Sequence, residues 1–201
     1  YSKGKGVRQS FKRTVMWYIR AAKQGNPAAQ FNLGLMYDMG EGVTPDYKRA
    51  IKWYRLAAKQ NNAQAQFNLG QLYESGERVT QDFKKVVKWY KRAAENGNEL
   101  AQLKLGTLFE KGKGVAKNFK KAAKWYKLAA RQGNETAQFN LGYMYSRGIG
   151  VKRNYNEAVK WYQLSAGQGN VIAQFNLGVF YIEGRGVRQS YSKAASGFRL
   201  A

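Results

Sequence analysis

The string Ala29-Gln30-Phe31-Asn32-Leu33-Gly34 returns at Ala65, Ala137 and Ala173, and as AQLKLG at Ala101, always 36 residues on. Trp-Tyr pairs beginning at Trp17, Trp53, Trp89, Trp125 and Trp161 keep the same step. A period of this length confines a chain to architectures in which one short supersecondary unit stacks on copies of itself. About five and a half such units fit in 201 residues, enough for a self-supporting stack. No linker or low-complexity tract interrupts them, so residues 1–201 read as a single domain, begun part-way through a repeat.

Each unit reads as two helices. The first opens at Asn26, Asn62, Asn98, Asn134 or Asn170, a side chain whose oxygen satisfies an orphan backbone N–H. Pro27 follows at the first helical position, where its missing N–H costs nothing. Ala29, Leu33 and Tyr37 then make one apolar face at i, i+4, i+8. Gly40, Gly76, Gly112, Gly148 and Gly184 mark the stop, because glycine accepts the left-handed conformation. The second helix opens at Ser10, Asp46, Asp82, Asn118, Asn154 or Ser190 and runs through Trp-Tyr to a small pair such as Ala57-Ala58. Neither helix buries its apolar face alone, so neighbouring units must stack. The spacing predicts an all-α fold: an α-solenoid of stacked antiparallel helix pairs, wound as a right-handed superhelix.

Composition narrows the chemistry. The chain has no Cys and no His, and 44% of its residues are hydrophobic. Disulfides, thiol nucleophiles, Cys or His zinc sites and His-based triads are therefore excluded, while a buried core is not. Twelve carboxylates are scattered along the chain, mostly beside lysines, with no acid/base pair held in one place. The reading is a non-enzymatic protein without catalytic residues, metal or cofactor. The net charge of +23 favours anionic partners. No apolar run is long enough to span a membrane.

The residues carry a family likeness. Leu33-Gly34-x-x-Tyr37 resembles the core of tetratricopeptide first helices, but Gln30 stands where their Trp would be. The fuller pattern is similar to the Sel-1-like repeat family: AQFNLGLMY, GEGV, Asp46-Tyr47-x-x-Ala50, then Trp53-Tyr54-x-x-Ala57-Ala58. Arg78, Asn61, Phe109 and Gly197 depart from the loop Gly, the turn Gly, the Tyr and the last Trp. The resemblance implies a bacterial adaptor in protein–protein assembly, periplasmic or secreted. An immunity protein for a secreted toxin is one such role. Tyr1–Val7 aligns with Tyr37–Val43, so the sequence is expected to start at the end of a first helix that begins upstream. The disulfide-linked branch of the family is excluded by the lack of Cys.

Recurring Leu, Gly, Tyr, Trp and Ala are read as packing. The Trp-Tyr pairs are accordingly taken as core instead of a base-stacking platform, with Trp53, Trp89 and Trp125 largely buried. Two other faces carry the candidate sites. On the first helix Asn32, Asn68, Asn140 and Asn176 hold one register, with Lys104 in the middle place. Leu35, Gln71, Thr107, Tyr143 and Val179 vary beside them. This stripe is predicted to be concave and partner-binding, because an amide offers a peptide backbone both donor and acceptor. The alternative is that each Asn bonds only its neighbouring helix. On the second helix Lys48, Lys52, Arg55, then Lys84, Lys88, Lys91, then Lys120, Lys124, Lys127 form one face, predicted to be convex and suited to anions. Like charges there oppose the helix and its dipole by a few tenths to about 1 kcal/mol each.

Two functions follow: a scaffold that binds a polypeptide partner, with an acidic surface, in its groove, or a basic anchor for lipopolysaccharide, acidic lipid or nucleic acid. Salt separates them. Affinity for an acidic polymer should fall steeply with salt, whereas a cognate protein partner should keep most of its affinity at about 0.5 M. Heparin or DNA binding that survives such salt would favour the anchor.

Overall fold

A computed structural model describes residues 10–200. The Tyr1–Val7 alignment lies outside them. Among the described residues there are eleven helices and no strands. They are α1 (Phe11–Lys23), α2 (Pro27–Met39), α3 (Tyr47–Lys59), α4 (Ala63–Ser75), α5 (Phe83–Glu95), α6 (Glu99–Lys111), α7 (Phe119–Arg131), α8 (Glu135–Arg147), α9 (Tyr155–Gly167), α10 (Val171–Glu183) and α11 (Tyr191–Leu200). The chain divides into two compact units, residues 1–98 and 99–201. In the first, α2 packs on α3 and α4 on α5; in the second, α6 on α7, α8 on α9 and α10 on α11. Consecutive pairs are joined through α1·α2 and α3·α4, and through α7·α8 and α9·α10.

Local chemistry sets these boundaries. Asn26, Asn62, Asn134 and Asn170 accept from the backbone N–H three residues on, as N-caps do. Asp46, Asp82, Asn118 and Asn154 do the same for the second helices. Gly40, Gly76, Gly148 and Gly184 end the first helices in the left-handed region. The turn after α3 places Asn61 at φ 62°. Its departure from the pattern is tolerated because Asn enters this region more readily than other side chains.

The core is built from a second-helix Tyr driven against a first-helix Gly. Tyr54, Tyr90, Tyr126 and Tyr162 are fully buried. A methyl on Gly34, Gly70, Gly106 or Gly142 would lie 2.6, 2.4, 2.6 or 2.8 Å from the corresponding ring. Phe31, Phe67 and Phe139 pack on the rings of Tyr54, Tyr90 and Tyr162 with centroids 5.5–5.9 Å apart. The Trp of each pair lies less deep than the Tyr. Trp161 is buried, Trp53, Trp89 and Trp125 are only half-buried, and Trp17 is exposed. The Tyr faces straight into the helix pair, while the preceding residue is turned about 100° toward the flank, where Arg92 stacks on Trp89 and Lys160 on Trp161.

A buried amide ladder runs beside the rings. Nε2 of Gln30, Gln66 and Gln138 donates to the carbonyls of Ala22, Ala58 and Ala130 at 3.0–3.2 Å. Oε1 of Gln30, Gln66, Gln102 and Gln138 accepts from Gln60, Asn96, Gln132 and Gln168, thirty residues on, at 2.8–2.9 Å. Each Gln thus satisfies one repeat's helix end and the next repeat's turn.

Replacing Gly70 by Ala should gain about 1 kcal/mol of helix propensity. It should lose more through overpacking against Tyr90, which costs about 1–3 kcal/mol. Gly167→Ala, with nothing within 4 Å, should be neutral or stabilising. Thermal melts of the two variants check the contrast; equal melting temperatures would contradict the close-approach account.

Candidate functional site

Burying a Tyr ring demands a partner for its hydroxyl. The partner is a carboxylate one turn beyond the Gly on the same first helix. Tyr54 donates to Asp38 at 3.3 Å, Tyr90 to Glu74 at 2.7 Å, and Tyr126 to Glu110. In the fourth of these positions Ser146 replaces the acid, its hydroxyl donating to the Tyr143 carbonyl at 2.7 Å beside Tyr162. Three of the twelve carboxylates that read as scattered therefore share one structural register. Burial raises the pKa of all four phenols, and for Tyr54, Tyr90 and Tyr126 the adjacent carboxylate adds to the rise.

The asparagine row meets these hydroxyls from the following repeat. Asn68, Asn140 and Asn176 lie close enough to the Tyr54, Tyr126 and Tyr162 hydroxyls to work against the rise in phenol pKa that burial causes. Three of the four Asn residues thus sit beside a tyrosine hydroxyl of the preceding helix. That position does not exhaust them, because an amide has two donor hydrogens and two acceptor lone pairs. Asn68 also accepts from Gln64 at 3.4 Å, and Thr107 lies 3.2 Å from the Tyr126 hydroxyl. Every predicted stripe residue keeps a solvent-facing part: Asn32, Leu35, Asn68, Lys104, Thr107, Asn140, Asn176 and Val179 are half-buried, Gln71 and Tyr143 exposed.

Each compact unit has a cavity on this face. In residues 1–98 one of about 250 Å³ is lined by Asp38, Tyr54, Asn68, Gln71 and Arg78, among others. In residues 99–201 one of about 490 Å³ includes Tyr143, Tyr162, Asn176 and Val179. The structure thus brings Asn68 and Gln71 together, and separately Tyr143, Asn176 and Val179. Arg78 was not foreseen as a site residue. It occupies a loop-glycine position, lies 3.9 Å over the Tyr47 ring and pairs with Asp38.

The basic face is exposed at Lys48, Lys52, Arg55, Lys84, Lys88, Lys91, Lys120 and Lys124; Lys127 is half-buried. Several charges there are engaged. Arg55 donates to the Tyr73 hydroxyl at 2.9 Å, Lys91 pairs with Glu95 at 3.8 Å, and Lys88 lies over Trp89. The first-turn cations beside them are compensated as well. Arg49 and Lys85 pair with the cap residues Asp46 and Asp82, and lie over the rings of Tyr37 and Tyr73 respectively. The dipole cost inferred from sequence is offset at these two positions, so it is no sign of an external ligand there.

A Sel1 repeat model matches residues 1–26, 27–62, 63–98, 100–134, 136–170 and 171–196. The chain belongs to the Sel1 repeat family. A solved protective antigen of uropathogenic Escherichia coli strains with an SLR fold is 40% identical over the whole chain, with a TM-score of 0.94. The chain spans 43% of that protein's length. A Sel1 repeat protein from Oxalobacter formigenes is 38% identical over the whole chain and 82% of its own length, with a TM-score of 0.81. Helicobacter pylori cysteine-rich protein B is 26% identical over 63% of this chain and 91% of its own, with a TM-score of 0.52. A comparison with curated proteins finds no match. Among the described residues no helix is long and apolar enough to cross a membrane.

The raised phenol pKa values have a definite sign. The folded state keeps these protons while the unfolded chain releases them near pH 10. Their contribution to stability is complete below that pH and falls as pH rises past it. Tyrosinate absorbance should therefore rise in two phases, with Tyr54, Tyr90, Tyr126 and Tyr162 ionising only as helical circular dichroism is lost. A single phase finished with the helices intact would refute the assignment.

Proposed function

We propose that this Sel1 repeat protein is a non-enzymatic adaptor that binds a polypeptide partner along the first-helix stripe. Proteins of this family serve protein interaction. The observation that carries the finer reading is the meeting of amide row and cavity: Asn68 and Gln71 line the cavity of one unit, Asn176, Tyr143 and Val179 that of the other. Amides with bonding capacity left over, set beside open volume, suit an extended backbone whatever its sequence. Lys104 adds a cation in the same register and favours a partner with acidic side chains. A periplasmic or secreted location belongs to the same proposal.

A second reading has the exposed lysine faces of α3, α5 and α7 in its favour: attachment to an anionic polymer. It needs no amide row and is distinguished by salt.

The test begins with capture of partners from the native host and mass spectrometry; a toxin among them would make the protein an immunity protein. The identified partner is then titrated against Asn68→Ala with Asn140→Ala. Each lost amide–peptide bonding pair should cost about 0.5–1.5 kcal/mol, weakening binding on the order of tenfold to a hundredfold in total. Melting temperature should fall modestly, since Tyr54 and Tyr126 retain Asp38 and Glu110. A large fall in melting temperature with unchanged affinity would make the row a structural brace and nothing more.

A further inference from the structure

We infer that the cavity formed by α8, α9 and α10 is a receptor for a carboxylate side chain on an extended acidic segment of a partner protein. This rests on the protein-binding reading and adds the chemistry of the group recognised.

The cavity gathers three guanidinium groups, Arg147, Arg153 and Arg185, against a single acid, Glu183. Arg153 and Arg185 lie 5.5 and 5.7 Å from the centre of the Tyr155 ring, and Arg147 6.0 Å from that of Tyr143. The rings hold flat, weakly hydrated cations whose N–H edges remain suited to planar anions. Arg185 pairs with Glu183 through Nε at 2.9 Å, which uses one of the five N–H donors that a guanidinium carries. Ser146, Tyr143 and Asn176 add neutral polar groups to the lining.

The equivalent cavity three repeats earlier shows which ion suits this register. There Asp38 occupies the place of Ser146, Glu77 that of Arg185, and Arg78 that of Gly186. Asp38 accepts from Tyr54 and forms an ion pair with Arg78. The first unit thus carries its own carboxylate, already engaged by a Tyr and an Arg. The second unit keeps the corresponding Tyr162 and places three arginines around it, but has a hydroxymethyl group where the carboxylate stood. A side chain from outside supplies what Asp38 supplies from within. Counted by formal charge, the lining passes from one net negative in the first cavity to two net positive in the second. The group that fills this register in the first unit is a carboxylate, Asp38, held by a Tyr and an Arg, and that precedent favours a carboxylate over a phosphate.

The experiment uses the full chain and three probes: an acetylated Gly-Gly-Glu-Gly-Gly amide, its Gln counterpart and inorganic phosphate. Binding is followed on the arginine Nε–H resonances. The Glu peptide should shift Arg147, Arg153 and Arg185 and bind about tenfold more tightly than the Gln peptide. Arg153→Gln with Arg185→Gln should lose that preference. Lys52→Gln with Lys88→Gln, which removes equal charge from the exposed face, should keep it. Ser146→Asp, which restores an internal carboxylate without removing any arginine, should abolish Glu-peptide binding while the protein melts no lower. Equal binding of the Gln peptide, equal loss in the lysine variant, unchanged binding by Ser146→Asp, or tighter binding of phosphate at the same arginines would each overturn the proposal. Such a failure leaves the adaptor reading standing, since that reading is judged by the captured partner and the asparagine variants.

Discussion

Most of this architecture depends on a phenol ring pressed onto a glycine. Within each helix pair the absence of a Cβ at Gly34, Gly70, Gly106 or Gly142 lets the second-helix Tyr ring lie directly on the first-helix backbone. Such close approach buries the whole ring and removes its hydroxyl from water, so the hydroxyl must be bonded inside the protein. Asp38, Glu74 or Glu110 meets that need within the repeat, and Asn68, Asn140 or Asn176 of the next repeat stands beside the hydroxyl of Tyr54, Tyr126 or Tyr162. One side chain therefore fixes interhelix distance and supplies core volume within each repeat.

Polar continuity does the rest. The residue that distinguishes this chain from the tetratricopeptide pattern, Gln30 and its repeats, replaces bulk with hydrogen bonding. A Trp there would fill space but offer one donor; Gln reaches a helix-end carbonyl on one side and accepts from the next turn on the other. The N-cap asparagines extend the principle. Asn134 caps α8 through its oxygen and donates to Glu99 at 2.7 Å through its nitrogen, while Asn170 caps α10 and donates to Glu135. Repeats joined through paired amides tolerate few register errors, because a shifted unit would leave buried donors and acceptors unmet.

Against this uniform frame, the variable positions acquire meaning. The same register holds Asp38 in one unit and Ser146 in another, or Glu77 and Arg185, without disturbing the Tyr–Gly contact. Charge can then be exchanged at the mouth of a cavity while the core stays constant. A repeat scaffold diversifies recognition in this way: stability resides in positions that recur, and selectivity in positions that do not.

Periodicity, caps and turn glycines were enough to read eleven helices and their pairing from the chain, since these are local signals repeated every 36 residues. The stripe on the first helices was equally legible, because a helical face follows from spacing alone. Which residue of Trp-Tyr enters the core was not. Both are large and aromatic, and the choice depends on the direction each takes relative to the helix facing it. The approach of the Asn row to tyrosine hydroxyls, and the service of Asp38, Glu74 and Glu110 as their acceptors, bring together residues 14 or 16 positions apart on different helices. Nor did spacing reveal that Arg147, Arg153 and Arg185 share a cavity with Tyr155. Sequence alone determined what repeats and where each helix begins and ends. Only the packing of one helix on another decided which polar groups lost water and had to find one another, because desolvation is a property of the assembled pair and of no single segment.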